Sequence, residues 1–189
     1  MMINNMRLAG KPARSGEFDR TNIRGTEIRL INETEAFALR EIALAPAKAR
    51  IPPAYPTAPD QFHVGAFFEG IIVSAASFII EDPDVEDSFI AAPYRSWRVR
   101  AMATLPSFRR RGCASLVLNH GIDEIRNRRG VVIWCNGRVT AAPFYEHHGF
   151  RQIGNIRHLP NLPNHYRFVR ELVDVDNAPI SFGSGEEAQ

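Results

Sequence analysis

The sequence predicts an α/β (α+β) fold, a mixed central sheet of six to seven strands flanked by helices. Three observations carry this. Two aromatic and β-branched runs, 62–68 and 71–80, are separated by Glu69-Gly70, the signal of an antiparallel hairpin. A strand, a helix and a second strand follow one another over 97–135, which makes a right-handed crossover with parallel strands. Further apolar segments switch between strand and helix period around these two units, so helices must cover the faces of one sheet. The chain has 189 residues, enough for one well-cored domain. That domain is expected over 26–172, between a polar tail (1–25) and an acidic one (173–189).

Taken in order, residues 1–25 are polar and aperiodic and read as a flexible tail. Residues 27–31 alternate as a first strand. Asn32 or Thr34 then caps a helix over 35–47, with Phe37, Leu39, Ile42 and Leu44 as its apolar positions. The prolines within 51–56 force a loop, and the hairpin follows. The acidic run 81–87 reads as a solvated turn, with attraction of a cationic substrate as the sharper alternative. Along the next strand, 97–104, Trp97, Val99, Ala101 and Ala103 should share one face and Arg98, Arg100, Met102 and Thr104 the other. From Gly112 to Arg128, Ala114, Val117, Leu118, Ile122 and Ile125 recur at helical spacing, and Gly130 is the stop. The unbroken apolar run 131–135 marks a strand covered on both faces. Thr140 is the expected cap of a short helix, 141–148, with Pro143 in its tolerant first turn and Gly149 at its end. Strands at 150–156 and 165–172 complete the sheet, and an acidic mobile tail follows.

Composition is that of an ordinary globular protein: 44% hydrophobic, 23% charged, net charge +2. Only Lys11 and Lys48 are lysine, so the basic chemistry is guanidinium. That suits planar recognition of phosphate or carboxylate, although codon bias explains it equally well. Cys113 and Cys135 read as free thiols of a reducing compartment. No apolar run is long enough to span a bilayer, and the first residues lack the apolar core of a signal peptide. A cytoplasmic protein with no membrane partner is the expectation.

The stretch 97–114 looks built for an anion. A strand ends at Pro106, three arginines follow (Arg109, Arg110, Arg111), and Gly112-Cys113-Ala114 opens a helix. Unpaired N–H groups and the positive end of the dipole gather there, and Gly112 lets a ligand approach the backbone. Other machinery is missing. There is no nucleotide-triphosphate loop of the G-x-x-x-x-G-K-[ST] type and no H-E-x-x-H. His147 and His148 point about 100° apart on a helix and cannot share a metal, so no metal is expected. Gly183-Ser184-Gly185 lacks the preceding strand of a nucleophile elbow.

What remains is Arg109-x-x-Gly112-x-Ala114 after one strand, and Phe144-Tyr145 followed by Gly149-Phe150 behind the next. In these residues the chain resembles the GNAT superfamily of acyl-CoA N-acyltransferases. Its phosphate motif, [RQ]-x-x-G-x-[GA], is matched by Arg109, Gly112 and Ala114; its closing motif is matched by Phe144, Tyr145, Gly149 and Phe150. The phrases WRVRAMATLP, IWCN and NHYRFVREL are similar to those of a largely uncharacterised subgroup. The resemblance covers roughly 26–172.

The resemblance implies acetyl-CoA, or another short acyl-CoA, as co-substrate. Its pantetheine arm would pair with the backbone of Met102, Ala103 and Thr104, and the N–H groups of Arg109, Arg110, Arg111, Gly112, Cys113 and Ala114 would hold the pyrophosphate. A small-molecule or protein amine would attack the thioester, the N–H near Met102 or Ala103 would serve the oxyanion, and Tyr145 would be the general acid. Phe144 is expected to be the core aromatic beside it. One departure is plain: the Asn often found seven residues before this Tyr is Arg138 here, with Asn136 nearby. The base stays open among Glu81, Asp82, Glu146 and His165. Arg98 and Arg100 would either meet an acceptor carboxylate or pair with the acidic run. Two other readings compete, an acyl-CoA-binding sensor without turnover and a nucleic-acid-binding module. The latter rests on nine arginines in 95–129 and is set aside because the phosphate motif accounts for several of them. Exposed sheet edges would allow a homodimer.

Overall fold

The computed structural model describes residues 25–44, 61–83, 95–158 and 163–172. The expected tails, the proline loop at 51–56, residues 84–87 of the acidic run and Gly183-Ser184-Gly185 lie outside them. The elements are β1 (Thr26–Ile31), α1 (Glu33–Leu44), β2 (Gln61–Phe68), β3 (Ile71–Ile80), β4 (Ser96–Thr104), α2 (Cys113–Asn127), β5 (Val132–Arg138), α3 (Ala142–His147), β6 (Arg151–Arg157) and β7 (His165–Glu171). Short 3₁₀ turns at Pro106–Phe108 and Val139–Ala141 precede α2 and α3. One seven-stranded sheet holds all strands in the order β1-β2-β3-β4-β5-β7-β6. Among the described residues only β4 and β5 run parallel, joined by the α2 crossover.

α1 starts where Asn32 allows. Its Oδ1 accepts from the Glu35 N–H at 2.9 Å, and Glu35 Oε2 accepts from the Asn32 N–H at 3.0 Å, a reciprocal capping box. The helix presents Ala36, Leu39, Arg40 and Ala43 to the sheet, the i, i+3, i+4, i+7 stripe, and leaves Ile42 66% exposed. The expected apolar face of Phe37, Leu39, Ile42 and Leu44 is therefore rotated. A charged residue, Arg40, takes the buried place given to Ile42.

α2 covers the other face. Gly112, at φ +85°, is its N-cap and no side chain caps it. Cys113, Val117, Leu118, Gly121, Ile122 and Ile125 are buried, so Cys113 replaces Ala114 in the expected stripe. Gly121 is needed for proximity, because a Cβ there would stand 2.0 Å from the Phe78 ring. At the far end the left-handed residue is Arg129 (φ +59°), not Gly130. Gly130 instead makes room, since a Cβ would lie 2.7 Å from Trp97. Beneath α2, Phe62 stacks on Phe78 at 4.9 Å within a cluster that includes Trp97, Val99, Ile133 and Phe168.

β4 departs from simple alternation. Ala75 faces Ala103 and Ser77 faces Arg100, so Ala101 and Met102 together oppose the single residue Ala76. This bulge centres on Ala101 at φ +49°. It turns Met102, expected beside Arg98 and Arg100, toward the cluster under α2. Before α3, Thr140 lies within the 3₁₀ turn and caps nothing; Ala141 is the N-cap, and Pro143 sits in the first turn as expected.

Candidate functional site

β4 and β5 pair at only three positions, Ser96↔Val132, Trp97↔Ile133 and Arg98↔Trp134. β4 then continues along β3 to Thr104, and β5 along β7 to Arg138. The two strands diverge, and their facing edges from Val99 and Cys135 onward are not paired with each other. Open strand edges of this kind offer N–H and C=O groups to an extended ligand.

The arginine loop closes one end of this cleft. Arg110 (φ +62°) and Gly112 (φ +85°) both have left-handed backbone, and the first N–H groups of α2 face the loop without a side-chain cap. Arg109 does not extend into this space. Its Nε donates to the Thr104 carbonyl at 3.3 Å and its Nη2 to the Ala43 carbonyl at 3.3 Å, tying the loop to β4 and to the end of α1. Arg111 lies over the Phe108 ring at 5.1 Å. The Cys113 thiol is buried, and burial raises its pKa.

Tyr145 enters from α3. Its ring stacks on Phe168 at 4.8 Å and meets Phe144 and Phe150 edge-on at 5.2 and 5.5 Å. Gly137 leaves it room, since a Cβ there would fall 2.4 Å from the Tyr145 ring. Tyr145 is the buried aromatic and Phe144 the half-buried one, the reverse of the expectation. Adjacent helical residues point about 100° apart, so only one of the two meets the sheet. The Tyr145 hydroxyl neighbours the Cys135 thiol on β5. Burial raises the Tyr145 pKa well above its ordinary value, and burial pushes the Cys135 thiol up to about 12. Both protons stay in place across the working pH range.

The opposite face of the same strands is cationic and aromatic. Trp134 is held between the Arg98 guanidinium at 4.5 Å and the Arg167 guanidinium at 4.3 Å, and its Nε1 donates to the Glu81 carbonyl at 2.7 Å. The Glu81 carboxylate pairs with Arg98 and, at 3.4 Å, with Arg100. The pairing expected between these arginines and the acidic run is thus made by its first residue. Burial first, and the neighbouring Arg100 next, lower the Arg98 pKa, with Glu81 opposing. Asn136 accepts from Arg167 Nε at 2.9 Å, which places it on this face. Of the other groups named as bases, Asp82 and Glu146 are exposed, and burial lowers the His165 pKa. Among the described residues no cluster of His, Cys, Asp or Glu could hold a metal, and no helix is long and apolar enough to cross a membrane. Missing from the sequence reading altogether are Arg167, Arg40 and the partners of Arg40, because their burial is set by strands remote in the chain.

A sheet whose parallel pair splays toward an uncapped helix N-terminus, with a tyrosine behind the second strand, defines the acyl-CoA N-acyltransferase class of fold. Comparison with known proteins agrees. Residues 60–152 match the family model described as Acetyltransferase (GNAT) domain. The "Uncharacterized N-acetyltransferase YitI" of Bacillus subtilis is 26% identical over 148 residues, 77% of this chain and 96% of that protein. Among solved structures, FeeM, an N-acyl amino acid synthase from uncultured soil microbes, superposes with a TM-score of 0.63 at 17% identity, covering 78% of this chain and 91% of that one. The ribosomal-protein-S18-alanine N-acetyltransferase of Escherichia coli gives 0.60 at 17% identity, covering 81% and 98%. Residues 60–152 thus match the GNAT acetyltransferase domain, and the chain has the fold of the acetyltransferase structures it superposes on.

Proposed function

We propose that this protein is an acetyl-CoA-dependent N-acetyltransferase that moves an acetyl group to a primary amine. The observation that carries the reading is the cleft itself: strand edges that part after Arg98 and Trp134 and end at the Arg110–Gly112 loop and the start of α2. The edge of Met102, Ala103 and Thr104 suits the pantetheine arm, and the N–H groups from Arg109 to Ala114 suit the pyrophosphate. Arg109 contributes by holding the loop rather than by reaching the phosphates. The co-substrate supplies an activated acyl carbon.

The amine nitrogen attacks that carbon, the C–S bond breaks, and the amine gives up a proton to solvent or to a base. The oxyanion needs a fixed donor, and the N–H groups at the Ala101 bulge of β4 are the ones suited to it. The departing sulfur needs a proton or a hydrogen bond. Tyr145, whose hydroxyl remains protonated and already faces a sulfur atom, is suited to give it. A small-molecule or protein amine is the acceptor, and exposed sheet edges would allow a homodimer.

The same Tyr145 supports a second reading. A hydroxyl buried against Cys135 is also what a packing residue looks like, and an acyl-CoA-binding protein without turnover would keep it. Calorimetry with acetyl-CoA followed by thiol release across a panel of amines separates the two. Micromolar binding with turnover is expected. Binding without turnover on any amine leaves the second reading, and no binding sinks both.

A further inference from the structure

α1 buries a charge at 1% exposure, and the charge is tied to the cleft. Arg40 Nε donates to the Ala101 carbonyl at 3.3 Å, its Nη1 lies 3.4 Å from Glu33 Oε1, and its Nη2 donates to the Ser77 hydroxyl. Ser77 Oγ is 2.6 Å from His63 Nδ1, and His63 Nε2 is 2.7 Å from Glu33 Oε2. The last contact is a close approach rather than an aligned hydrogen bond, since Glu33 Oε2 receives no well-aimed donor. Four side chains from α1, β2 and β3 thus form a closed ring. Arg40 can only donate, so Ser77 accepts from it and keeps its own O–H to donate to His63 Nδ1. In that arrangement His63 is neutral with its proton on Nε2, toward Glu33. Burial lowers the His63 pKa in the same sense.

The ring reaches the backbone of β4 at the carbonyl of Ala101. This residue has φ +49°, a state that L side chains keep only where the surroundings hold them. Its carbonyl and the N–H of Met102 belong to one planar trans peptide and point in opposite directions. Whatever anchors the carbonyl therefore aims the N–H.

We propose that Arg40 is a positioning residue, which sets the direction of the Met102 N–H by holding the Ala101 carbonyl, and that Glu33, His63 and Ser77 fix its rotamer. The kinetic part rests on the reading of Met102 N–H as an oxyanion donor. Removing such a donor costs about 10²–10³ in kcat, and misaiming it costs less. In Arg40→Met, kcat should fall about ten- to a hundredfold while KM for acetyl-CoA changes by less than about threefold. Arg40→Lys, which keeps a donor, should recover part of the loss. The Met102 amide should also shift and exchange faster in NMR spectra of Arg40→Met, with α2 amides unchanged.

A folded Arg40→Met protein with unaltered kcat and an unaltered Met102 amide overturns the proposal. So does a fall in kcat without any change at that amide. If Arg40→Met does not fold, Ser77→Ala is read instead; a smaller change in the same direction supports positioning, and none refutes it. If the wild-type chain transfers no acyl group to any amine, the functional reading fails alone, and the Met102 amide still decides whether Arg40 aims the peptide.

Discussion

Replacing Tyr145 by Phe removes one oxygen and leaves the ring, which makes it the sharpest test of the proposed chemistry. The ring is held by Phe168 at 4.8 Å, Phe144 at 5.2 Å and Phe150 at 5.5 Å, and all three contacts survive the change. What is lost is the contact of the hydroxyl with the neighbouring Cys135 thiol. A neutral contact with sulfur contributes at most about 1 kcal/mol, so the melting temperature should fall by less than about 4 °C. The chemical consequence is larger. A positioned general acid contributes about 10²-fold or more, or roughly 2.7 kcal/mol at 1.36 kcal/mol per tenfold. The expected outcome is a hundredfold-scale loss of kcat in thiol release, with calorimetric affinity for acetyl-CoA unchanged. Equal turnover in Tyr145→Phe would refute the acid role outright. A collapse of affinity or of the thermal transition would make the hydroxyl structural.

Arg109→Ala should weaken acetyl-CoA binding by about tenfold, because it releases the loop from the Thr104 and Ala43 carbonyls; calorimetry beside Arg110→Ala distinguishes this tether from direct charge. Gly121→Ala forces a Cβ to 2.0 Å from Phe78 Cζ, an overpacking that costs about 1–3 kcal/mol, and thermal denaturation should show it with no effect on the loop. The His63 pKa lies below its ordinary 6.5 in the folded chain. The unfolded chain then binds more protons as pH drops through 6.5, so stability is full above that value and declines below it toward the folded pKa. His165 shifts in the same sense. Urea titrations of wild type and His63→Gln across this range should therefore differ by the His63 share of the slope, and identical slopes would contradict the assignment.

The sheet, its crossover and the glycine–arginine loop before α2 were legible because each has a local signature. Glu69-Gly70 turns the hairpin, the spacing of Val117, Leu118, Ile122 and Ile125 writes α2, and Gly112 marks a left-handed N-cap. The Ala101 bulge carries no such mark, since alanine is not the residue that backbone favours. Its existence depends on the register of β3 against β4. Arg40 is a stronger case: an arginine in an amphipathic helix reads as surface, and partners far along the chain, Ser77 and Ala101, help make its burial tolerable. Tyr145 and Phe144 exchanged places for a related reason. Adjacent helical residues point about 100° apart, so a small rotation of α3 exchanges which one meets β5.

The two tryptophans of this chain stand on opposite faces of one sheet. Trp97 lies in the apolar layer under α2, whereas Trp134 is wedged between two guanidinium planes beside the diverging strands. One indole therefore sits in a mainly apolar layer, with the Arg128 guanidinium 5.9 Å from its ring, and the other sits between two closer guanidiniums. A molecule that displaces Arg98 or Arg167 would alter the emission of Trp134 and leave that of Trp97 untouched. The fold thereby carries its own optical coordinate for telling which side of the cleft an incoming molecule has entered.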